Sequence, residues 1–349
     1  MWRQVFETEL FPGKTPPNGQ QVVLPVLDLG FYPSERGPYN YDVNPTSVSA
    51  GINTDGSLKN PQNRWGGIMR RLETNDFQAA NVEYIQFWMM DPFNEDYDAA
   101  TDPRFDKTKL PSGDMYINIG NISEDIVKDG RMVYENGIPG TSDFTKNLPI
   151  DSNNVANVPL IPPTVNAFSQ DEADREFQDV GYDGLSDNYE RYRFRTAIAD
   201  MNAGPFNQSA KDAFINDPST DRFHHFRGDD YDGDQSNTLK RYSKFNNAEG
   251  NSPTEAQYKN LNSEGYNTSA STVPNIEDVN KDNTLSETEN YYQYHVKISP
   301  NDINPASVGT NFIVDQFTGT ADFGGINKSV KWYQFKIPIR KPDQTVGNI

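Results

Sequence analysis

The chain has 349 residues, 31 of them basic and 50 acidic, so its formal net charge is −19. This acidity argues against a nucleic-acid partner, and the absence of cysteine excludes disulfides and thiolate metal sites. The mean hydropathy is −0.80, and no apolar run approaches the roughly 20 residues of a membrane-spanning helix. Aromatic residues make up 12 % of the chain, which is enough to build a β core.

Strand patterns occur near both ends of the chain. A dense apolar run at residues 82–90 and an alternating segment at 113–120 predict two strands in the first part. Segments at 291–298, 311–317 and 331–339 predict three more in the last part. The run at residues 82–90 is apolar on both of its faces, which indicates a strand that is covered on both sides.

The sequence between these strands is polar and rich in turn-forming residues. A short helix is expected at residues 121–137, with Ser123 as its cap and Gly137 at its end, and a second helix at residues 187–202. The remainder of the middle consists of long acidic loops, which need something to order them. No internal repeat is evident.

These patterns predict a mainly β protein. We expect a jelly-roll-like β-sandwich that is formed from both ends of the chain, residues 1–135 and 291–349. Residues 136–290 would be a loop-rich, partly helical, acidic insertion that bears calcium loops. The alternative is two separate domains that divide near residue 150.

The segment from Asp278 to Glu289 has the spacing of a calcium-binding loop. Oxygen-bearing side chains occupy its first, third, fifth, seventh, ninth and twelfth positions, which are Asp278, Asn280, Asp282, Thr284, Ser286 and Glu289. Asn283 stands at the sixth position, where glycine is usual, and asparagine tolerates a positive φ well. Calcium in an isolated loop of this kind would be structural. The alternative is an acidic turn that binds no metal.

A second candidate loop runs from Asp179 to Glu190. Its expected calcium ligands are the side chains of Asp179, Asp183, Asp187 and Glu190 and the carbonyl oxygen of Leu185. The alternative is again an acidic turn. A third acidic cluster, at residues 229–234, lacks a terminal glutamate and is expected to be a solvated turn, with a metal site as the alternative.

The chain carries no recognisable catalytic motif, so we expect that it is not an enzyme. His224 and His225 are adjacent, but no spacing of a zinc site accompanies them. Trp65, Trp88 and Trp332 could face a sugar, and carbohydrate-binding sandwiches also carry structural calcium. A carbohydrate-binding β-sandwich on the cell surface is therefore the alternative function, and a glycan hydrolase is a third, for which no motif is present.

Several blocks of sequence are more specific than the calcium spacing. They follow one another over nearly the whole chain and include FYPSERGPYNYD, NRWGGIMRRL, VEYIQFWMMDPF, MYINIGNISEDIVKDGRMVYENGIP, QDVGYDGLSDNYE, FHHFRGDDYD and EDVNKDNTLSETENYYQYHV. Together these blocks resemble an internal region of the SprA family of gliding-motility and secretion proteins of Bacteroidota, called Sov in some members.

The resemblance implies a place in the outer-membrane translocon of the type IX secretion system. Partners would be the rest of the translocon chain, a barrel shuttle protein, a periplasmic plug and secreted cargo. Members of the family are several times longer than this chain, and no signal peptide follows Met1. We therefore expect a fragment of a longer exported protein, at the outer membrane or cell surface.

The segment itself lacks the repeated alternating strands of a transmembrane barrel wall, so we expect no direct membrane span in it. The resemblance then implies an extracellular cap over the pore or, as a second choice, a periplasmic domain. Millimolar calcium outside the cytosol can saturate a weak site. Calcium would therefore be a structural cofactor that orders the acidic loops.

Overall fold

The structure is a computed structural model of the chain. It describes residues 4–93, 112–132, 167–169, 178, 181, 183–245 and 273–348, apart from positions 39, 75, 223, 225, 323, 324 and 326. The described chain is mainly β, as predicted. Its contacts divide it into two compact units, which are residues 1–28, 72–123 and 287–349 in the first and residues 29–71 and 124–286 in the second.

All eight described strands lie in the first unit. They are β1 (Val5–Phe6), β2 (Val23–Leu24), β3 (Tyr84–Met90), β4 (Gly113–Asn121), β5 (Asn290–Ile298), β6 (Ile313–Asp322), β7 (Asn327–Pro338) and β8 (Gln344–Val346). The five strands that the sequence predicts correspond to β3 to β7. In β4, β5 and β7 the alternation of apolar and polar residues allows the strand to bury one face, whereas β3 is a dense apolar run.

Two three-stranded antiparallel sheets form the sandwich. One sheet has the order β3–β7–β6 and the other the order β4–β5–β8. Strands of both sheets contribute to one core, whose buried members are Tyr294, Val296, Ile303, Ile313, Tyr333, Phe335 and Ile337. Burying each such side chain contributes about 1.5–3 kcal/mol. The prediction of a β-sandwich made from both ends of the chain is confirmed.

The sheet that contains β3 and β7 is also covered on its second face. Trp332 of β7, only 5 % exposed, belongs to a second core cluster there with Leu10. Its indole N–H donates to Glu9 Oε1 over 2.9 Å. Trp88 of β3 contacts Phe11 edge-to-face, with ring centroids 6.0 Å apart. Apolar residues of β3 thus have packing partners on both faces, but Tyr84 and Met90 are 44 % and 43 % exposed, so the strand is covered only in part.

Besides three short 3-10 helices, six α-helices are described. They are α1 (Glu7–Leu10), α2 (Asp187–Arg193), α3 (Arg195–Ala203), α4 (Gln208–Asn216), α5 (Asp229–Gly233) and α6 (Thr238–Tyr242). The predicted helix at residues 187–202 is confirmed as α2 and α3, which meet at Phe194. In the second unit, Met201 of α3 and Phe214 of α4 form a buried cluster with Val43 and Ile52.

The helix expected at residues 121–137 is wrong in its described part. No helix is present at residues 122–132, where the chain forms turns instead. The Asp125 carboxylate accepts the backbone N–H groups of Asp129 and Gly130. Lys128 has a φ of 57°, a left-handed conformation that an α-helix does not contain.

Candidate metal centre

Three carboxylates meet inside the second unit. One oxygen each of Asp183, Glu190 and Asp221 lies within 4.8 Å of the others. The three residues are only 5 %, 1 % and 6 % exposed. Within the part of the chain that the structure describes, this is the one group of three acidic or histidine side chains so close together. We call these residues the carboxylate trio.

Local structure around helix α2 positions two members of the trio. Asp183 lies just before the helix, and its Oδ1 accepts the backbone N–H of Leu185 over 2.9 Å. Leu185 is 1 % exposed and so anchors this turn, while Glu190 lies on the buried face of α2. Gly181 has a φ of 106°, and a Cβ there would overlap the Asp221 carboxylate. The turn therefore requires glycine at this position.

Ser219 links the first two carboxylates. Its hydroxyl donates to Asp183 Oδ2 over 2.6 Å, and its backbone N–H donates to Glu190 Oε2 over 3.0 Å. The other Glu190 oxygen, Oε1, is buried and has no hydrogen-bond partner among the described residues. Buried polar atoms in proteins are nearly always satisfied, so this oxygen is open to a proton, a water or a cation. An all-oxygen set of carboxylates fits a hard divalent cation.

The electrostatics of the trio are unfavourable without a counter-charge. Burial, followed by the negative charge of Asp183, raises the pKa of Glu190 to about 8. Burial also raises the pKa of Asp183 and of Tyr41. Two ionised carboxylates 4.8 Å apart repel by about 3.5 kcal/mol at an effective dielectric constant of roughly 20. Either a proton or a cation would relieve this repulsion.

Two arginines act electrostatically on Glu190, but both direct their N–H groups elsewhere. Arg36 donates to the backbone oxygen of Asp217 and to the hydroxyl of Thr220. Arg222 contacts the carboxylate of Asp187 and donates to the backbone oxygen of Asn216. Both positive charges act on Glu190 across space, while the hydrogen bonds named here go to other groups.

The structure treats the expected ligands of the Asp179–Glu190 loop differently. Asp183 and Glu190 come together in the trio. The Asp187 carboxylate instead pairs with Arg222, and it lies 3.9 Å from Arg191 one helical turn later. Leu185, expected as a carbonyl ligand, instead buries its side chain and donates its backbone N–H to Asp183. Asp179 lies outside the described residues.

Asp221 is the member of the trio that sequence reasoning missed. It lies 31 residues beyond Glu190, so no local spacing connects it to the loop. In the structure, the backbone N–H of Asp221 donates to Asp217 Oδ1 over 3.2 Å, which closes a turn. The Asp221 carboxylate meets those of Asp183 and Glu190 only in the folded chain.

The Asp278 carboxylate organises the other predicted loop. Asp278 is 2 % exposed, and its two oxygens accept the backbone N–H groups of Asp282 and Asn283 over 3.1 and 2.8 Å. Asn280 Oδ1 also accepts the Asp282 N–H, at 2.8 Å. Asp282 Oδ1 in turn accepts the N–H of Thr284, at 2.8 Å. Asn283 has a φ of 64°, as expected for the sixth position.

The end of this loop lies at the boundary between the two units. Ser286 is the last residue of the second unit, and its backbone N–H donates to Glu124 Oε2 over 3.1 Å. Glu289 belongs to the first unit and is exposed. The first five expected ligands therefore belong to the second unit, and Glu289 belongs to the first.

This loop has a structural relative earlier in the second unit. The segments Glu124–Gly130 (EDIVKDG) and Glu277–Asn283 (EDVNKDN) share four of seven residues. In each, the aspartate accepts N–H groups four and five residues later. Lys281 has a φ of 61°, against 57° at the equivalent lysine of the first segment. We call these segments the twin turns, and they are a short internal repeat that the sequence reading missed.

The twin turns are hydrogen bonded to each other. Glu124 is 4 % exposed, and its two carboxylate oxygens accept the backbone N–H groups of Asn280 and Ser286. Glu277, 1 % exposed, accepts the N–H of Ile126 in the reverse direction, at 2.9 Å. Buried carboxylates therefore connect two distant parts of the sequence through backbone N–H groups.

The remaining acidic and histidine candidates make surface contacts. In the third cluster, Asp232 pairs with Arg241 and Asp234 with Lys240, at 2.6 and 3.2 Å. His224 Nε2 lies 3.0 Å from Asp230 Oδ2. His225 lies outside the described residues.

The three tryptophans proposed for sugar contact differ in exposure. Trp332 is 5 % exposed in the core, and Trp88 packs against the same cluster. Trp65 is 87 % exposed. A sugar surface on the described tryptophans would therefore depend on Trp65.

Part of the chain matches a known protein family. Residues 197–349 match the SprA_N family model, described as a motility related/secretion protein. The match includes Asp221 and the loop Asp278–Glu289, whereas Asp183 and Glu190 precede it. No curated protein matches the chain. No helix within the described ranges has the length and apolarity needed to cross a membrane.

Proposed function

We propose that this chain, whose residues 197–349 are a SprA-like region of a motility- and secretion-related family, is a non-enzymatic structural segment of the type IX secretion translocon. The family match is the observation that carries the proposal. The segment would serve protein export and gliding motility at the outer membrane or cell surface. An extracellular cap is our first choice, and a periplasmic domain the second.

The proposed partners follow from this role. They are the rest of the translocon chain, the barrel shuttle protein, the plug and the secreted cargo. A structural role is supported by the burial of the trio, because carboxylates that are 1–6 % exposed cannot meet a substrate. It is also supported by the third acidic cluster, whose side chains are engaged by basic residues.

We propose calcium as the structural cofactor of the acidic loops. The ligand spacing from Asp278 to Glu289 supports this, as does the buried carboxylate trio. An ion that binds only the folded loops would stabilise them by mass action. Millimolar calcium outside the cytosol would saturate even a weak site of this kind.

The role in secretion is tested in a bacterium that carries this gene. Phe335→Asp in the full-length protein places a charge in the buried core of the sandwich, where Phe335 is 0 % exposed. We expect loss of secreted cargo from the medium and loss of colony spreading. Val48→Ala, at a position that is 90 % exposed, is the control. Normal secretion and spreading with Phe335→Asp, at equal protein level, would refute the proposed function.

A carbohydrate-binding module is the second candidate, because Trp65 is so exposed. Aromatic faces of this kind suit a sugar ring. The test is a glycan array with the 349-residue chain and its Trp65→Ala variant. Saturable binding that is lost in the variant would favour the sugar-binding function. An array without binding would count against this second function.

A further inference from the structure

The unpartnered oxygen of Glu190 is the starting point. Glu190 is 99 % buried, since only 1 % of it is exposed, and Oε1 has no hydrogen-bond partner within the described chain. Its carboxylate is aimed at two others, so the group that satisfies it must also tolerate the oxygens of Asp183 and Asp221. A neutral donor would satisfy one oxygen only. A cation would satisfy Glu190 Oε1 and would also offset the charge of the Asp183 and Asp221 carboxylates.

We propose that Asp183, Glu190 and Asp221 bind one calcium ion, which joins the start of helix α2 to the turn at residues 217–222. The inference rests on the structural role proposed for calcium above, and it changes the ligand set. The site is assembled from two separate segments, and it is not a twelve-residue loop. Asp187 is outside it because its carboxylate pairs with Arg222.

The separation of the oxygens suits calcium. Calcium–oxygen distances are about 2.3–2.6 Å, so two ligands on opposite sides of one ion lie about 4.6–5.2 Å apart. The three oxygens are within 4.8 Å of one another, which is inside this limit. Zinc favours nitrogen and sulfur ligands, and magnesium requires a tighter octahedron and keeps several waters. The trio offers carboxylates alone, in a buried position.

The surrounding contacts hold the ligands in place. Ser219 donates to both Asp183 and Glu190, which fixes their orientation while leaving Glu190 Oε1 available. The absence of a side chain at Gly181 lets its backbone lie against Asp221. The hydrogen bonds that hold Asp183 and Glu190 therefore come from neutral groups, and the proposed cation would bind between the carboxylates.

Calorimetric titration of the 349-residue chain with calcium, and separately with magnesium, tests the site. Asp221→Asn keeps the shape of the side chain and removes its charge. We expect this variant to weaken calcium binding at one site by about tenfold or more, because calcium affinity follows the number of ligand charges. Asp212→Asn, which removes an exposed charge from α4, is the matched control and should change nothing.

The variant Asp187→Asn distinguishes the two possible ligand sets, because Asp187 is a ligand in the twelve-residue loop and not in the trio. Unchanged calcium affinity in this variant supports the trio, and a loss as large as that of Asp221→Asn overturns it. Unchanged affinity and stoichiometry in Asp221→Asn also overturn it. A preference for magnesium over calcium would overturn the choice of ion.

A second measurement is local to the site. Tyr41 lies 3.5 Å from Ser219, hydroxyl to hydroxyl, so its ring should transfer excitation to terbium bound at the trio. We expect the sensitised terbium emission to decrease in Tyr41→Phe and in Asp221→Asn. Emission that is unchanged in both variants would contradict the proposal, even where Asp221→Asn alters stability.

The failure of this inference and the failure of the proposed function give different results. If Asp278→Ala removes the calcium-dependent rise in melting temperature and Asp221→Asn does not, the trio is refuted and the structural role of calcium stands. If Asp221→Asn weakens calcium binding, but secretion and spreading are normal with Phe335→Asp, the trio stands and the translocon role is refuted.

Discussion

Two tyrosines of the sandwich core are expected to respond in opposite directions to the same substitution. Tyr333 and Tyr294 are both 0 % exposed and belong to one hydrophobic cluster. The Tyr333 hydroxyl is buried without a hydrogen-bond partner among the described residues. The Tyr294 hydroxyl donates to the backbone oxygen of Ile339 over 2.6 Å. Removing the hydroxyl therefore removes an unsatisfied buried group at Tyr333 and a hydrogen bond at Tyr294.

The magnitudes follow from these contacts. Burial, and then the charge of Asp91, raises the pKa of Tyr333 to about 12, so this hydroxyl stays neutral and desolvated. A buried unsatisfied polar group costs about 1–3 kcal/mol, and a satisfied hydrogen bond contributes about 1 kcal/mol. We expect Tyr333→Phe to raise the free energy of unfolding by about 1 kcal/mol. Tyr294→Phe should lower it by about the same amount.

Urea denaturation followed by tryptophan fluorescence measures both changes. Trp65 is the tryptophan that lies in the second unit, so a Trp65→Phe background restricts the signal to the first unit. With a slope of about 2 kcal/mol per molar urea, each substitution should shift the midpoint by about 0.5 M, in opposite directions. A midpoint that falls in both variants would refute the reasoning, since it would mean that the Tyr333 hydroxyl is satisfied, for example by a buried water.

Three further substitutions follow from the structure. Gly181→Ala should weaken calcium binding in calorimetry, because the new Cβ overlaps the Asp221 carboxylate; unchanged affinity would count against the trio. Asp278→Ala should lower the free energy of unfolding in chelator by about 1–3 kcal/mol, since two N–H groups lose their acceptor. Phe335→Ala should cost about 3–5 kcal/mol in urea denaturation, because it also removes the stacked contact with Phe87 at 5.0 Å.

Several strands could be predicted because their apolar residues alternate with the period of a β-strand, and β3 because its apolar run is dense. In β5, Tyr294 and Val296 point to the core from alternating positions, and this alternation is visible in the sequence. Strand pairing could not be predicted in the same way. Met90 of β3 is opposite Trp332 of β7, and no local pattern specifies a partner more than two hundred residues away.

The twin turns were missed for a related reason. The first segment contains Glu124 and Asp125 in positions that suit the first turn of a helix, so propensity favours a helix there. Tertiary contacts decide otherwise, because Glu124 is used to accept N–H groups of the second segment. The similarity of EDIVKDG to a calcium-loop segment becomes visible only when it is aligned with EDVNKDN. The second of these segments begins the loop that has the calcium spacing.

The two candidate calcium loops have comparable spacing in the sequence, yet their buried carboxylates are satisfied in different ways. Asp278 is almost fully buried, but each of its oxygens accepts a backbone N–H. Glu190 is equally buried and has one oxygen without a partner in the described chain. The Asp278 turn can therefore fold on its hydrogen bonds alone, whereas the trio needs a proton or a cation. We infer that chelation should destabilise the trio more than the Asp278 turn. Hydrogen exchange in calcium and in chelator would test this, and a larger loss of protection at residues 278–286 than at 183–190 and 217–222 would contradict it.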